Sequence, residues 1–259
     1  MEEIDFIKAR IKDKSNEAYK KGEITSTNFY SFSKVILIEN LINEYPSLIN
    51  PNVDHQFMSL NEESEYKLLV FYNDFNENEL NDYLSKRISL LLIEFKNKKF
   101  KENLTHRDYL GALMNLGIER EFLGDILIKE EGAYVYVLNE ILEIILNDLT
   151  KVKHTDVIVK KVDNNQINLS YEFEEKMINV SSNRLDSIIG EIYGLSRADS
   201  KDLIMKDLVK ISSKNHINPS TELKNNDRVS VYKKGKFIFL KEDGFSKKGR
   251  MYIKVKIYK

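Results

Sequence analysis

The chain has 259 residues, of which 42% are hydrophobic and 10% aromatic, enough apolar surface for ordinary cores, and this argues against global disorder. Cysteine is absent, which removes disulfides and thiolate metal sites, and no apolar run approaches membrane-spanning length. The formal net charge of −1 hides an asymmetry: residues 181–259 carry 18 Lys/Arg against 9 Asp/Glu, whereas residues 1–180 carry 22 against 32. A basic end of this kind points to a polyanion partner, although a solvated charged surface gives the same composition.

The first residues, Met1-Glu2-Glu3-Ile4-Asp5, are acidic and lack the apolar run of a signal peptide, so a cytoplasmic chain is expected. Ile4, Ile7, Ile11 and Ala18 recur at helical spacing and Gly22 ends that helix. A second helix is predicted over 26–43, with Phe29, Phe32, Val35, Ile36, Ile38, Leu41 and Ile42 on its buried side. Together they predict a small helical region over residues 1–67. From residue 68 the period changes. Strands are predicted at 68–72, 88–95, 125–129, 133–138 and 156–160, and helices at 76–87, 105–116 and 139–149. Thr105 followed three residues later by Asp108 is close to a capping box. The order β-α-β-β-α-β over 88–161 predicts a ferredoxin-like split arrangement for a middle domain at 68–163. Residues 164–179 are predicted as a polar linker with a short strand.

The last part is the most informative. Leu185, Ile188, Ile189 and Ile192 form one apolar helix face, Gly194 breaks the helix, and Ser196 can cap a second helix bearing Ala198, Leu203 and Ile204. Val209 and Ile211 alternate with Lys210 as in a half-buried strand. Further strands are predicted at 228–232, 237–240 and 251–258. Arg184, Arg197, Lys201, Lys206 and Lys210 are left on the polar side, and the turns at 233–236 and 246–250 place Lys and Arg beside Gly.

The succession Arg184-Leu185-Asp186, Ser196-Arg197, Leu203-Ile204, Val209-Lys210-Ile211, Pro219 and Asp227-Arg228-Val229-Ser230-Val231 resembles the S4-type RNA-binding domain in order and spacing. Two turn positions depart from it: Asp207-Leu208 stands where that family often has Gly, and Ser212-Ser213 where it has Asn-Gly. The stretch Leu104-Thr-His-Arg-Asp-Tyr-Leu-Gly-Ala-Leu-Met-Asn-Leu-Gly-Ile-Glu-Arg-Glu-Phe-Leu-Gly-Asp-Ile-Leu-Ile128 is similar to the signature of the YlmH family of bacterial RNA-binding proteins. The resemblance implies an α+β chain: an N-terminal helical region, the split β-α-β middle domain, and an S4-type α/β domain over 180–259. It also implies a non-enzymatic, monomeric factor with no cofactor, metal or membrane. Its partners would be ribosomal RNA and tRNA on the large ribosomal subunit during rescue of stalled translation.

The residues expected to contact RNA are Arg184, Arg197, Lys201, Lys206, Lys210, Lys234, Lys236, Lys247, Lys248 and Arg250. Each has a plainer reading. Arg184 can pair with Asp186 or Asp199, and the turn lysines can be solvated hairpin tips. In the middle domain Lys96, Lys98, Lys99, Lys101, Arg107 and Arg120 are diluted by Glu94, Glu102 and Glu119, so a solvated face is expected there. Tyr134 and Tyr136 share a strand face that could stack bases or pack a core. His55, His106, His154 and His216 have no ligand spacing. A pseudouridine synthase-like RNA-modifying enzyme is an alternative, because Arg184-Leu185-Asp186 matches a catalytic triplet. However, Ser187-Ile-Ile-Gly-Glu191 continues as a helix where a catalytic loop is needed. A protein-interaction adaptor using the acidic first 180 residues is a further alternative.

Overall fold

The computed structural model describes residues 2–61, 64–97, 102–163, 169, 171, 173–211 and 217–258. Lys98, Lys99, Lys101, Ser212, Ser213 and His216 lie outside the described residues. The chain divides into two compact units, Met1–Ser170 and Tyr171–Lys259.

The first unit opens with α1 (Glu2–Lys21), whose Ile7, Ile11 and Ala18 are buried. It continues through β1 (Thr25–Ser26), β2 (Tyr30–Ser31), α2 (Phe32–Glu44), β3 (Asp54–Met58) and β4 (Tyr66–Tyr72). β4 pairs antiparallel with β1, β2 and β3. The expected helical region is therefore a mixed layer of helix and sheet. Residues 25–31, placed partly in the second predicted helix, contain two short strands, and that helix begins only at Phe32. The strand expected to open the middle domain instead organises this sheet. Leu68, Leu69, Val70 and Phe71 are completely buried, a state that requires cover on both faces, and β1 and β2 are too short to show any period of their own.

After α3 (Glu77–Arg87) the expected order appears: β5 (Ile88–Phe95), α4 (His106–Met114), β6 (Leu123–Lys129), β7 (Gly132–Leu138), α5 (Leu142–Asp148), β8 (Lys151–Val152) and β9 (Thr155–Val162). Asn76 starts α3 through a capping box. Its Oδ1 accepts from Asn78 N at 3.0 Å and Glu79 N at 3.1 Å, and Glu79 Oε2 accepts from Asn76 N at 2.9 Å. At α4, Thr105 N donates to the Asp108 carboxylate at 2.8 Å. The sheet runs β6-β7-β5-β9-β8 with every neighbour antiparallel. β5 and β6 thus run parallel with β7 between them, which is the split arrangement. Tyr109, Leu113, Ile141 and Ile145 from the helices pack on Leu91, Ile93, Val135 and Val137. Tyr134 and Tyr136 are buried core residues, and burial pushes both hydroxyls up to about 12.

The second unit is β10 (Phe173–Val180), α6 (Leu185–Tyr193), α7 (Arg197–Met205), β11 (Val209–Ile211), β12 (Arg228–Val231), β13 (Gly235–Phe245) and β14 (Met251–Tyr258). Its antiparallel sheet has the order β10-β14-β13-β12-β11. The end of the expected linker, from Phe173, is a strand: β10 pairs with β14 along its whole length, from Phe173↔Tyr258 to Val180↔Met251. Its outward residues Glu174, Glu175 and Lys176 give it a polar composition, and only pairing with the far end of the chain makes it a strand. The core joins Leu185, Ile188, Ile189 and Ile204 from the helices to Val209, Val229, Phe237, Phe239, Ile253 and Val255. Each of these large aliphatic side chains contributes about 1.5–3 kcal/mol on burial. Both helices therefore cover one face of the sheet.

Candidate nucleic-acid interface

The start of α6 is built by a partner segment distant in sequence. Leu185 N donates to Thr221 O at 2.8 Å and Asp186 N to Pro219 O at 3.1 Å. Asn183 bonds the backbone of Leu223 in both directions, Nδ2 to O at 3.1 Å and Oδ1 from N at 3.3 Å. These bonds satisfy amide groups that a helix start leaves unpaired, so the Pro219 loop is what fixes where α6 begins.

Asp186, in the first turn, is completely buried, and both predicted arginines converge on it. Arg184 donates from Nε to Oδ1 at 3.1 Å and from Nη2 to Oδ2 at 3.0 Å. Arg197, at the start of α7, donates from Nε to Oδ2 at 3.4 Å. Burial pushes the Asp186 carboxyl up, but the two arginine hydrogen bonds outweigh it and hold the carboxyl below its ordinary range. The salt-bridge reading of Arg184 is thus what the structure contains. The pairing does not bury the guanidinium groups, however. The side chains remain 31% exposed at Arg184 and 58% at Arg197. One buried negative charge holds two positive ones at the junction of the helices, leaving an excess cation with free N–H groups on Arg197.

Gly194 closes α6 in the left-handed conformation, φ +63, and Ser196 Oγ caps α7 by accepting from Asp199 N at 3.1 Å. The turn that departs from the S4 pattern is made without glycine. Asp207 adopts φ +54, and Asp207 N and Leu208 N return to Ile204 O and Leu203 O at 3.1 and 3.0 Å.

The other predicted cations are not all brought together. Lys201 is exposed on α7 and Lys206 at its C-terminal cap, where it pairs with Asp202 at 2.7 Å. Lys210 alternates with buried Val209 and Ile211, so it lies on the face away from the helices. Register places it opposite Ser230, and Ser230 opposite Lys236, so Lys236 shares that face. Lys234 is exposed in the β12–β13 turn, and Lys247 and Lys248 in the β13–β14 turn. Arg250 folds back, donating to Asn179 O and lying 3.6 Å from Glu191. Among the described residues Lys201, Lys210, Lys234, Lys247 and Lys248 have no ion-pair partner. The cations expected together on the polar side of the helix pair and strand are therefore divided by the sheet, with Lys210 on the face away from Arg184 and Arg197.

Sequence reading missed the aromatic group on the helix-free face. Tyr258 lies edge-on to Phe173 at 4.8 Å and to Tyr171 at 5.3 Å between centroids. Lys256 Nζ is 5.4 Å from the Phe173 ring. The alternation Tyr252-x-Lys254-x-Lys256-x-Tyr258 was the available signal.

In the first unit, cations are mostly matched. Lys86 pairs with Asp82, Arg87 with Glu140, Lys151 with Asp156, Lys153 with Asp108 and Lys160 with Glu94. Arg120 lies over the Tyr66 ring at 3.9 Å.

Residues 79–166 match the family described as "Putative RNA-binding domain in YlmH". Over 149 residues the chain is 30% identical to "Ribosome-associated protein quality control protein P2" of Bacillus subtilis (strain 168), covering 57% of this chain and 58% of that protein. The matched segment is thus similar to the RNA-binding domain of the YlmH family, and the chain spans 58% of the length of that curated relative. A solved structure, "Cell division protein ylmH from Streptococcus pneumoniae", is similar at 27% identity with a TM-score of 0.47, covering 64% of this chain and 94% of that one. The matched segment contains the split β-α-β part of the first unit, where a solvated charged face was expected. That segment holds 13 Lys/Arg against 15 Asp/Glu, so general positive charge is not how it would hold a polyanion.

Proposed function

We propose that the chain is a non-enzymatic, cytoplasmic and monomeric RNA-binding factor of the ribosome. In this reading Tyr171–Lys259 acts as an S4-type domain that grips ribosomal RNA and tRNA on the large subunit during rescue of stalled translation. The observation that carries it is the Arg184–Asp186–Arg197 cluster. A buried carboxylate fixes two guanidinium groups at the junction of two helices, and a fixed guanidinium loses less freedom on meeting a phosphate than a mobile lysine does. The excess of 18 basic over 9 acidic residues in 181–259 supports a polyanion partner. The name of the Bacillus relative supports the ribosome as the setting, and the family match over 79–166 supports a second RNA contact there.

The test is co-sedimentation of the full chain with purified large subunits across a salt series, beside a variant carrying Arg197→Gln, Lys247→Gln and Lys248→Gln. These side chains are exposed, so the variant should fold normally. The unmodified chain should pellet with subunits and release as salt rises, and the variant should release at lower salt. Equal retention of both would move the anchor to the first unit, and no retention of either would remove the ribosome from the proposal.

A further inference from the structure

The distal end of the β13–β14 hairpin combines features that the reading above does not use. Phe245, its last β13 residue, is 68% exposed. An exposed phenylalanine costs solubility and adds nothing to the fold, and this one is presented by two deliberate irregularities. Between Glu242↔Ile253 and Phe245↔Met251 the β13 strand advances three residues while β14 advances two. The extra residue is a bulge containing Gly244 at φ +90, a conformation that favours glycine. An earlier shift, between Phe239 and Lys241, also adds one residue to β13, and the second offsets the change of face that the first one makes. Phe245 stands opposite Met251, which packs on the core beneath the helices. Phe245 is thereby on the helix-bearing side of the sheet, as Phe237 and Phe239 are, the side that carries α6 and α7 with Arg184 and Arg197.

The hairpin end is also held in place. Asn183 Nδ2, next to Arg184, donates to Glu242 Oε1 at 2.6 Å. Beyond Phe245, Arg250 is moored to Asn179 O and to Glu191 of α6. The turn closes with Ser246 N to Arg250 O at 2.7 Å, Gly249 N to Ser246 O at 2.9 Å and Arg250 N to Ser246 Oγ at 3.0 Å. It leaves Lys247 and Lys248 exposed in the turn that directly follows Phe245. An exposed aromatic ring on a tied hairpin end, followed by two cations without ion-pair partners, is complementary to a nucleotide, with the ring matching the base and the lysines its phosphates.

We infer that Phe245 is a base-stacking residue for an unpaired nucleotide of a structured RNA, with Lys247 and Lys248 holding the adjoining phosphates. This rests on the RNA-binding reading and names the RNA feature it would take. A base inside a continuous duplex has both faces covered by its neighbours, so the hairpin end selects a loop or bulge.

The sequence has no tryptophan, so Phe245→Trp places a single indole reporter at the site. Two probes are used on the full chain: an RNA hairpin with a purine loop and a blunt RNA duplex of equal length. The Phe245→Trp protein should bind the hairpin as tightly as the unmodified chain, with its emission quenched on binding. Phe245→Ala should weaken hairpin binding about 10- to 100-fold and leave duplex binding and the melting temperature nearly unchanged. Phe245→Leu, which keeps the apolar surface but has no ring, should behave like Phe245→Ala. If the unmodified chain binds neither RNA, the RNA-binding reading falls and this inference falls with it. If it binds the hairpin and Phe245→Ala binds equally well, or the indole emission is unmoved at saturation, Phe245 is not a stacking residue and the broader reading stands. Emission that depends on protein concentration without RNA would assign the ring to self-association and overturn the inference.

Discussion

Replacing Arg184 with glutamine removes two of the three hydrogen bonds that the buried Asp186 carboxylate receives from arginine, those at 3.1 and 3.0 Å, and leaves only the 3.4 Å contact from Arg197. Breaking a buried ion pair from one side typically costs about 3–5 kcal/mol, because the surviving charge stays desolvated. Here Arg197 still compensates part of that charge and Arg184 is itself 31% exposed, so the expected loss is about 2–3 kcal/mol. For a unit of the size of Tyr171–Lys259 this lowers the melting temperature by about 10–20 °C. Adding Asp186→Asn should recover part of the loss, since the double variant no longer buries an uncompensated charge. Arg197→Gln loses one long bond from a side chain that is 58% exposed, and should cost less than about 1 kcal/mol. The assay is thermal and urea unfolding of the full chain, followed by circular dichroism, with RNA affinity measured in parallel. Arg184 should register mainly as stability and Arg197 mainly as affinity. A melting temperature unchanged by Arg184→Gln, or equal stability losses at the two arginines, would refute the argument that a buried carboxylate positions the pair.

The same carboxyl carries a pH signature. Its folded pKa lies below the ordinary aspartate value, so its stabilisation is fully present above about 3.9 and is lost as pH falls through the folded value. Asp186→Asn should flatten the acid limb of a stability-against-pH curve for the second unit. Arg197→Gln should reduce the slope of log affinity against log salt by about one unit, read by titrating RNA at several salt concentrations. Asp207→Gly should raise stability by about 1 kcal/mol, because the left-handed φ of +54 suits glycine and a negative charge is removed from the end of α7, and urea unfolding would show it. Gly132→Ala should cost about 2–4 kcal/mol in the first unit, since its Cβ would come within 2.1 Å of Ile93 O, a backbone atom that cannot swing aside.

Much of this protein could be read from local pattern. Helical spacing located α1, α6 and α7; Asn76 and Thr105 marked helix starts; and strand–helix order over 88–161 yielded the split β-α-β arrangement, because its elements are long and consecutive in sequence. The resemblance to the YlmH family, too, was legible in residues 104–128, within the segment that matches its domain. What failed shares one cause. β1 and β2 exist because β4 pairs with them, and β10 exists because β14, more than 70 residues later, supplies its hydrogen bonds. Local composition carries no trace of a distant partner.

For the site, the sequence by itself determined which residues are basic, that they gather in the last third of the chain, and that two arginines begin consecutive helices. Only the tertiary structure decided that both arginines share one buried aspartate, and that strand register sends Lys210 and Lys236 to the opposite face from α6 and α7. It alone decided that β13 takes one extra residue at each of two points, which together leave Phe245 on the helix side. The physical reason is that charge is additive along a chain, whereas the direction a side chain faces depends on hydrogen-bond register, which is fixed by strands far apart in sequence.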